Sequence, residues 1–392
     1  TRLLLALLVV PLVGLSSMAM HSDATVTTLT WCFALSLLAI PFKYDWLLQG
    51  LDRMGLVAPA QAVKSGAFAI GVILLVRADD DIITVGVLEA GAAMIGVVYF
   101  LIAQRVVSVP LSVDLRFSSV VALMKAGVSI GASNILWPFM VYAPVLLVTR
   151  LSGSTDAAWL GGAQRIVVAL VAFGALYFFN LYPLIIRNLR DDLDRWRRLM
   201  GSSVRLIGWA GFGIAMATTV LSETIITTVF GPRFATAAPV LALCIWTFPL
   251  RLLSGHARFT LLAAERQNVL LLVELIDAGT IVVACLALIP EYGAAGAAAA
   301  GIIGNVAGWL LAHASAERYA GWLPGPRHVA RPLGAALLGV VAARLIGEVP
   351  MAGAAAALVT YAICLGVSAP DLIQDGIRLA YAKKTTEADR SS

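Results

Sequence analysis

Charge is what this sequence has least of. Asp, Glu, Lys and Arg make up 13% of its 392 residues, against 60% apolar residues and a mean hydropathy of +0.89. A soluble domain of this length could bury a large core, but its surface would need far more charge. Cysteine is also scarce. Cys32, Cys244, Cys285 and Cys364 all fall in apolar stretches, with no C-x-x-C pair and no metal-ligand spacing, and they read as small hydrophobes in helix packing. His256 and His313 stand alone, so no metal site is expected. The sequence has no strand alternation, no nucleotide-binding loop, no Ser/His/Asp set and no paired carboxylates in a water-facing domain. Neither an enzyme nor a cofactor is expected.

What fills the chain instead is a series of apolar runs of about twenty residues, the length that spans a bilayer as helix. An open backbone in hydrocarbon leaves its polar groups unpaired, so these runs are expected to be helices. Twelve are expected, at about 3–20, 26–42, 56–76, 82–103, 127–149, 159–184, 204–222, 237–262, 268–289, 293–315, 333–348 and 352–369. The fold class is an all-α membrane protein.

The charges between the runs set an orientation. With the N-terminus in the cytoplasm, cytoplasmic segments carry 20 of the 28 Lys and Arg, and the opposite loops carry only Arg77, Arg150 and Arg233. By the positive-inside rule both termini are expected in the cytoplasm. The +5 formal charge comes from these loops and implies contact with anionic membrane lipids, not nucleic acid. The chain starts at Thr1 with no Met and no signal-peptide pattern, so a trimmed N-terminus is expected.

Basic segments divide the chain. They suggest an N-terminal bundle (1–105), a C-terminal six-helix bundle (126–315), two additional spans (332–370) and a cytoplasmic tail (371–392). Segment 187–203 reads as a short amphipathic surface helix. A weak repeat at an offset of 213 residues places 63–76 on 276–289, with Gly66 on Gly279 and Lys64 on Asp277. Two pseudo-symmetric helical bundles with a path between them would follow.

Ionisable groups inside spans are costly against lipid and tend to face a cavity or a partner. Arg251 and Arg258 share a helix face; Glu274 and Asp277 share a face on the next helix. Arg258 and Glu274 lie at similar depth, as a structural ion pair would, although Arg258 could also snorkel to the surface. Arg251 sits near mid-span, where a guanidinium fork would suit a phosphate-bearing ligand. Lys64 and Arg165 are further candidates for the same cavity, and snorkelling is open to both. Glu89 could neutralise Lys64 or serve as a protonation site; Asp277 and Glu274 are alternatives for ion coupling or structural charge. Asn134, expected to be a buried polar group, is a further candidate for the substrate cavity, and it sits in a span that Pro138 and Pro144 would kink, giving either a gate or a static bend.

Four stretches carry a family resemblance. VFGPRFATAAPVLALCIWTFPLRLL (229–253), DWLLQGLDRM (45–54), IPEYGAAGAAAAGIIGN (289–305) and GGAQRIVVAL (161–170) resemble, in order, segments of the polysaccharide translocases. These are oligosaccharide-lipid flippases of the multidrug/oligosaccharidyl-lipid/polysaccharide exporter superfamily. In that register the first span resembles the family's third helix, which implies fourteen helices with two absent from this chain. The resemblance also implies two six-helix bundles around a cationic cavity, with two extra C-terminal helices.

The implied activity is translocation of an undecaprenyl-diphosphate-linked oligosaccharide across a bacterial inner membrane by alternating access, for O-antigen, capsule or exopolysaccharide. A polymerase and other export components would be partners. The rivals are a cation-coupled multidrug exporter of the same superfamily and a membrane glycosyltransferase or polymerase. The latter would show a large external or carboxylate-bearing loop, and none is visible.

Overall fold

The computed structural model describes residues 2–20, 23–50, 53–78, 81–107, 117–346 and 350–371. Asp52, Arg116, Arg378, Lys383, Lys384 and Arg390, and the expected tail from 372 onward, lie outside these. Almost every described residue is helical, with no strand among them. The helices are α1 (Arg2–Met20), α2 (Ala24–Ser36), α3 (Asp45–Gly50), α4 (Met54–Leu75), α5 (Ile82–Val107), α6 (Phe117–Leu151) and α7 (Ser154–Asp191). They continue as α8 (Leu193–Val220), α9 (Ser222–Phe230), α10 (Ala238–Cys244), α11 (Thr247–Ala263), α12 (Gln267–Ala320), α13 (Arg327–Ile346) and α14 (Pro350–Ser368).

Among the described residues, ten helices are long and apolar enough to cross a membrane, and Arg2–Met18 is a shorter apolar one. The expected spans 268–289 and 293–315 both fall in α12, whose 54 residues would run about 80 Å if straight. Instead it breaks at Gly293 (φ 54°, ψ −132°). A left-handed φ suits glycine, and a Cβ there would also collide with Asp156. The Asp156 carboxylate accepts the Ala294 N–H at 3.2 Å, capping the second half of α12.

Beyond the break the halves run back along each other. A Cβ on Gly296 would strike the Leu288 carbonyl, one on Gly304 would strike Ile281, and one on Gly308 would strike Asp277. The paired numbers fall in one as they rise in the other, which is the signature of an antiparallel hairpin. Three glycines let the two backbones approach this closely.

One expectation needs correction and another refinement. Segment 187–203 is not a separate surface helix: it is the end of α7 and the start of α8. Asp192 breaks them (φ −153°), accepting the Arg195 N–H at 2.9 Å as N-cap, and Trp196 and Met200 hold the start of α8 in the core, fully buried. The expected span 237–262 falls within one apolar stretch, Pro232–Ala263, that is built of two helices, α10 and α11. Pro249 has no N–H for the Ile245 carbonyl and crowds it. Phe248 donates to that carbonyl instead, at 3.0 Å, and the Thr247 hydroxyl donates to Cys244 O at 2.7 Å.

The chain forms two compact units, residues 1–126 and 127–392. In the first, α2 packs on α1 and α5, and α4 packs on α5. In the α4–α5 pair, Lys64 lies opposite Gly96, where an added Cβ would sit 3.7 Å from its own. Asp277 lies opposite Gly308 in the same way in α12. In the second unit α11 packs on α12, α7 and α8, while α13 and α14 pack on each other and on α8. The Tyr361 hydroxyl of α14 donates to the Trp209 carbonyl of α8 at 2.5 Å.

Candidate functional site

The break between α10 and α11 places Arg251 in the second turn of α11. Arg251, Ser254 and Arg258 follow at helical spacing and face the first half of α12. Arg258 is the hub of an ion-pair group. Its Nη1 donates to Glu274 Oε1 at 3.0 Å, its Nη2 to Asp277 Oδ2 at 2.7 Å, and its Nε to Ser254 Oγ at 2.8 Å. The Asp277 side chain is only 4% exposed and that of Arg258 19%. Glu274 Oε2 and Asp277 Oδ1 are buried with no hydrogen-bond partner among the described residues.

Arg251 is different. Among the described residues it makes no ion pair, although Asp277 and Arg258 lie within its electrostatic reach. It lines a narrow cavity with Gln164 of α7, Thr247 of α11, Asn305 of α12 and Pro144 of α6, closed by apolar residues such as Val167 and Ile281. The cavity is small, about 40 Å³, with room for a few waters and none for a sugar. The four charges nearest it, two guanidinium groups and two carboxylates, balance formally. Arg258 is committed to both carboxylates, so Arg251 is the cation left with free donors.

The remaining candidates separate. Lys64 is neutralised within the first unit by Glu89, Nζ to Oε1 at 2.6 Å, in a cavity of about 260 Å³ that also takes Gln61 and Lys43. Arg165 is exposed and, unlike its neighbour Gln164, does not line the Arg251 cavity. Asn134 is exposed rather than buried, because it lies one turn short of the α6 stripe (Trp137, Met140, Val141, Pro144) that lines the Arg251 cavity. Helix α6 continues through both Pro138 and Pro144. His256 belongs to packing: its ring meets the Tyr177 hydroxyl at 3.0 Å and the Leu252 carbonyl at 3.0 Å. No group of metal-ligating side chains occurs among the described residues.

Sequence reasoning missed Gln164, Thr247 and Asn305 as neighbours of Arg251, and Asp277 as a partner of Arg258. Asp277 had a signal: it is three residues from Glu274 on one helix face. Outside the spans, Asp81 accepts the N–H groups of Arg77 and Ala78, at 3.0 and 3.1 Å. These two bonds hold its carboxyl below the usual range and close the turn between α4 and α5.

The motif glycines have structural work. Gly231 ends α9 at φ 88°. A Cβ on Gly162 would meet Phe230 and Phe234 at 3.8 to 4.0 Å, so these motifs report how α7 and α9 close on each other. Residues 1–189 match the family model described as "Polysaccharide biosynthesis protein". No curated protein matches the chain in sequence. Among solved structures it is similar to the lipid II flippase MurJ in its inward closed conformation, with a TM-score of 0.73 at 13% identity over 94% of this chain and 82% of that one. It is also similar to a mutant of the Vibrio cholerae MATE transporter VcmN, with a TM-score of 0.58 at 18% identity over 80% of this chain and 76% of that one. At these identities the likeness is one of fold alone.

Proposed function

We propose, on the premise that residues 1–189 match the polysaccharide biosynthesis family and that the chain folds as these exporters do, that it is a flippase and not an enzyme. Its cargo is an undecaprenyl-diphosphate-linked oligosaccharide, moved across the bacterial inner membrane by alternating access for surface polysaccharide synthesis. The observation that carries the reading is Arg251: a mid-span guanidinium with free donors, beside Gln164, Thr247 and Asn305, just past a helix break. Broken helices in transporters aim positive helix ends at anionic groups, and a guanidinium fork matches phosphate oxygens. Pro144 lines the same cavity, so a change of bend in α6 would open or close the space in front of Arg251. A polymerase and other export components would act next to it.

A cation-coupled drug exporter draws on a different observation, the unpartnered oxygens of Glu274 and Asp277. Proteoliposomes separate the two. The purified protein should move labelled undecaprenyl-diphosphate oligosaccharide between leaflets without accumulating a labelled cationic drug. Drug accumulation without lipid movement would replace the flippase reading by its rival.

The orientation follows from the lysine and arginine distribution. In a variant with the four native cysteines replaced, single cysteines at Ser202 and Ser391 should resist an impermeant thiol reagent added to intact cells. Labelling from outside at either position would overturn the cytoplasmic assignment.

A further inference from the structure

At the end of the second unit away from the Gly293 turn, α7, α8, α13 and residues 368–371 line an open cavity of about 940 Å³. Arg195, Arg198 and Arg205 line it from α8, and Arg327 and Arg331 from α13, with His328 beside them. Helical spacing brings each set onto one wall: three and then seven residues apart on α8, four apart on α13. Asp371 is the one carboxylate among the lining residues, 4.0 Å from Arg205. The other four arginines make no ion pair among the described residues. Arg197 provides the contrast, turning away from the cavity to Asp194 at 3.5 Å.

Five like charges around one space repel each other, and their field concentrates anions there. The α8 wall is anchored by Trp196 and Met200, which hold this end of the helix fully buried. Arg195 and Arg198 lie in the first two turns of α8, and Arg327 and Arg331 in the first two turns of α13, and the ends of membrane spans are where headgroups meet side chains. Basic pockets between helices at the cytoplasmic surface recognise lipid phosphates.

We propose that this cavity binds the phosphate group of an anionic membrane lipid. The inference goes beyond the flippase reading and stands whatever the cargo is. Two lipids carry the required chemistry, a two-chain phospholipid and a polyprenyl diphosphate.

The test uses the full chain in a neutral detergent, titrated separately with phosphatidylglycerol, undecaprenyl diphosphate, inorganic pyrophosphate and phosphatidylcholine. Binding is read by native mass spectrometry and by the thermal unfolding midpoint. At least one of the two anionic lipids should bind and raise the midpoint, while phosphatidylcholine should not; which lipid binds identifies the source. The double variant Arg198→Gln/Arg331→Gln removes one donor group from each wall. It should weaken binding at least about tenfold, the equivalent of one charge-assisted hydrogen bond. Arg197→Gln should leave binding unchanged. If the double variant fails to fold, Arg327→Gln, at the exposed start of α13, takes its place. The proposal fails if neither anionic lipid binds the wild type, if the cavity variants bind as the wild type does, or if Arg197→Gln loses as much. Pyrophosphate binding as tightly as both lipids would also overturn it, in favour of a free-phosphate site.

Discussion

Replacing Arg251 by alanine is expected to abolish polysaccharide export while leaving the amount of folded protein near normal. The two halves of this expectation have separate physical grounds. Arg251 makes no ion pair among the described residues, so its removal orphans no partner. Asp277 keeps its 2.7 Å bond to Arg258, and the vacated space adjoins a cavity with room for water. The stability change should therefore stay within about 1 kcal/mol, the range of substitutions that break no buried network. On the proposed reading, transport depends instead on what Arg251 offers an anion. Two charge-assisted hydrogen bonds to a diphosphate, about 1.5–3 kcal/mol each, correspond to a loss on the order of 10²-fold or more. Arg251→Lys keeps the charge without the fork and should recover part of the activity. Flipping rate in proteoliposomes and protein level in membranes check both halves. Full transport by Arg251→Ala would end its assignment as a cargo contact, and a collapse in protein level would recast it as structural.

The helices were legible because spans are selected by length and apolarity, and both survive in single-sequence form. Breaks inside a span were harder to read. Pro138 and Pro144 drew attention to α6, yet α6 stays one helix, and the chain breaks before Pro249. There the carbonyl freed at Ile245 is paired again by Phe248, and the Thr247 hydroxyl pairs with Cys244. A proline signals a lost bond; which neighbours replace it is a tertiary matter. The Gly293 hairpin was half legible, as two spans with P-x-Y-G between them. The glycine approach at Gly304 and Gly308 was not, because nothing local says which helix face meets which.

Within the site, depth matching found Arg258 and Glu274, since both are counted from the same turn. Gln164 and Asn305 come from helices with no such shared reference to Arg251, and only packing brings them to it. The arginine cavity shows the same limit on a larger scale. In sequence, Arg195 to Arg205 and Arg327 to Arg331 are simply part of the basic segments between apolar runs that set orientation. More than a hundred residues separate the two sets, and only the packing of α13 on α8 turns them into two walls of one space.

Arg258→Ala should have the opposite profile to Arg251→Ala: a large loss of folded protein. The guanidinium holds Glu274 and Asp277 together, and the Asp277 carboxylate is pressed against Gly308 with no solvent to retreat to. Removing it leaves two buried like charges, a loss of about 3–5 kcal/mol for a broken buried pair. The bidentate geometry also fixes what can rescue it. Exchanging Arg258 and Glu274 restores one attraction but sets a new carboxylate at position 258 beside Asp277, so rescue should be slight. Arg258→Met combined with Glu274→Gln and Asp277→Asn removes all three charges and leaves two buried amides without a partner, a smaller cost than two bare carboxylates. The expected order of unfolding midpoints is wild type, then the triple variant, then the exchange, then Arg258→Ala. Thermal unfolding followed by size-exclusion fluorescence in detergent measures it. An Arg258→Ala protein as stable as the wild type would show that the pair does not carry the fold. Equal rescue by exchange and triple variant would show that Asp277 is not held by Arg258.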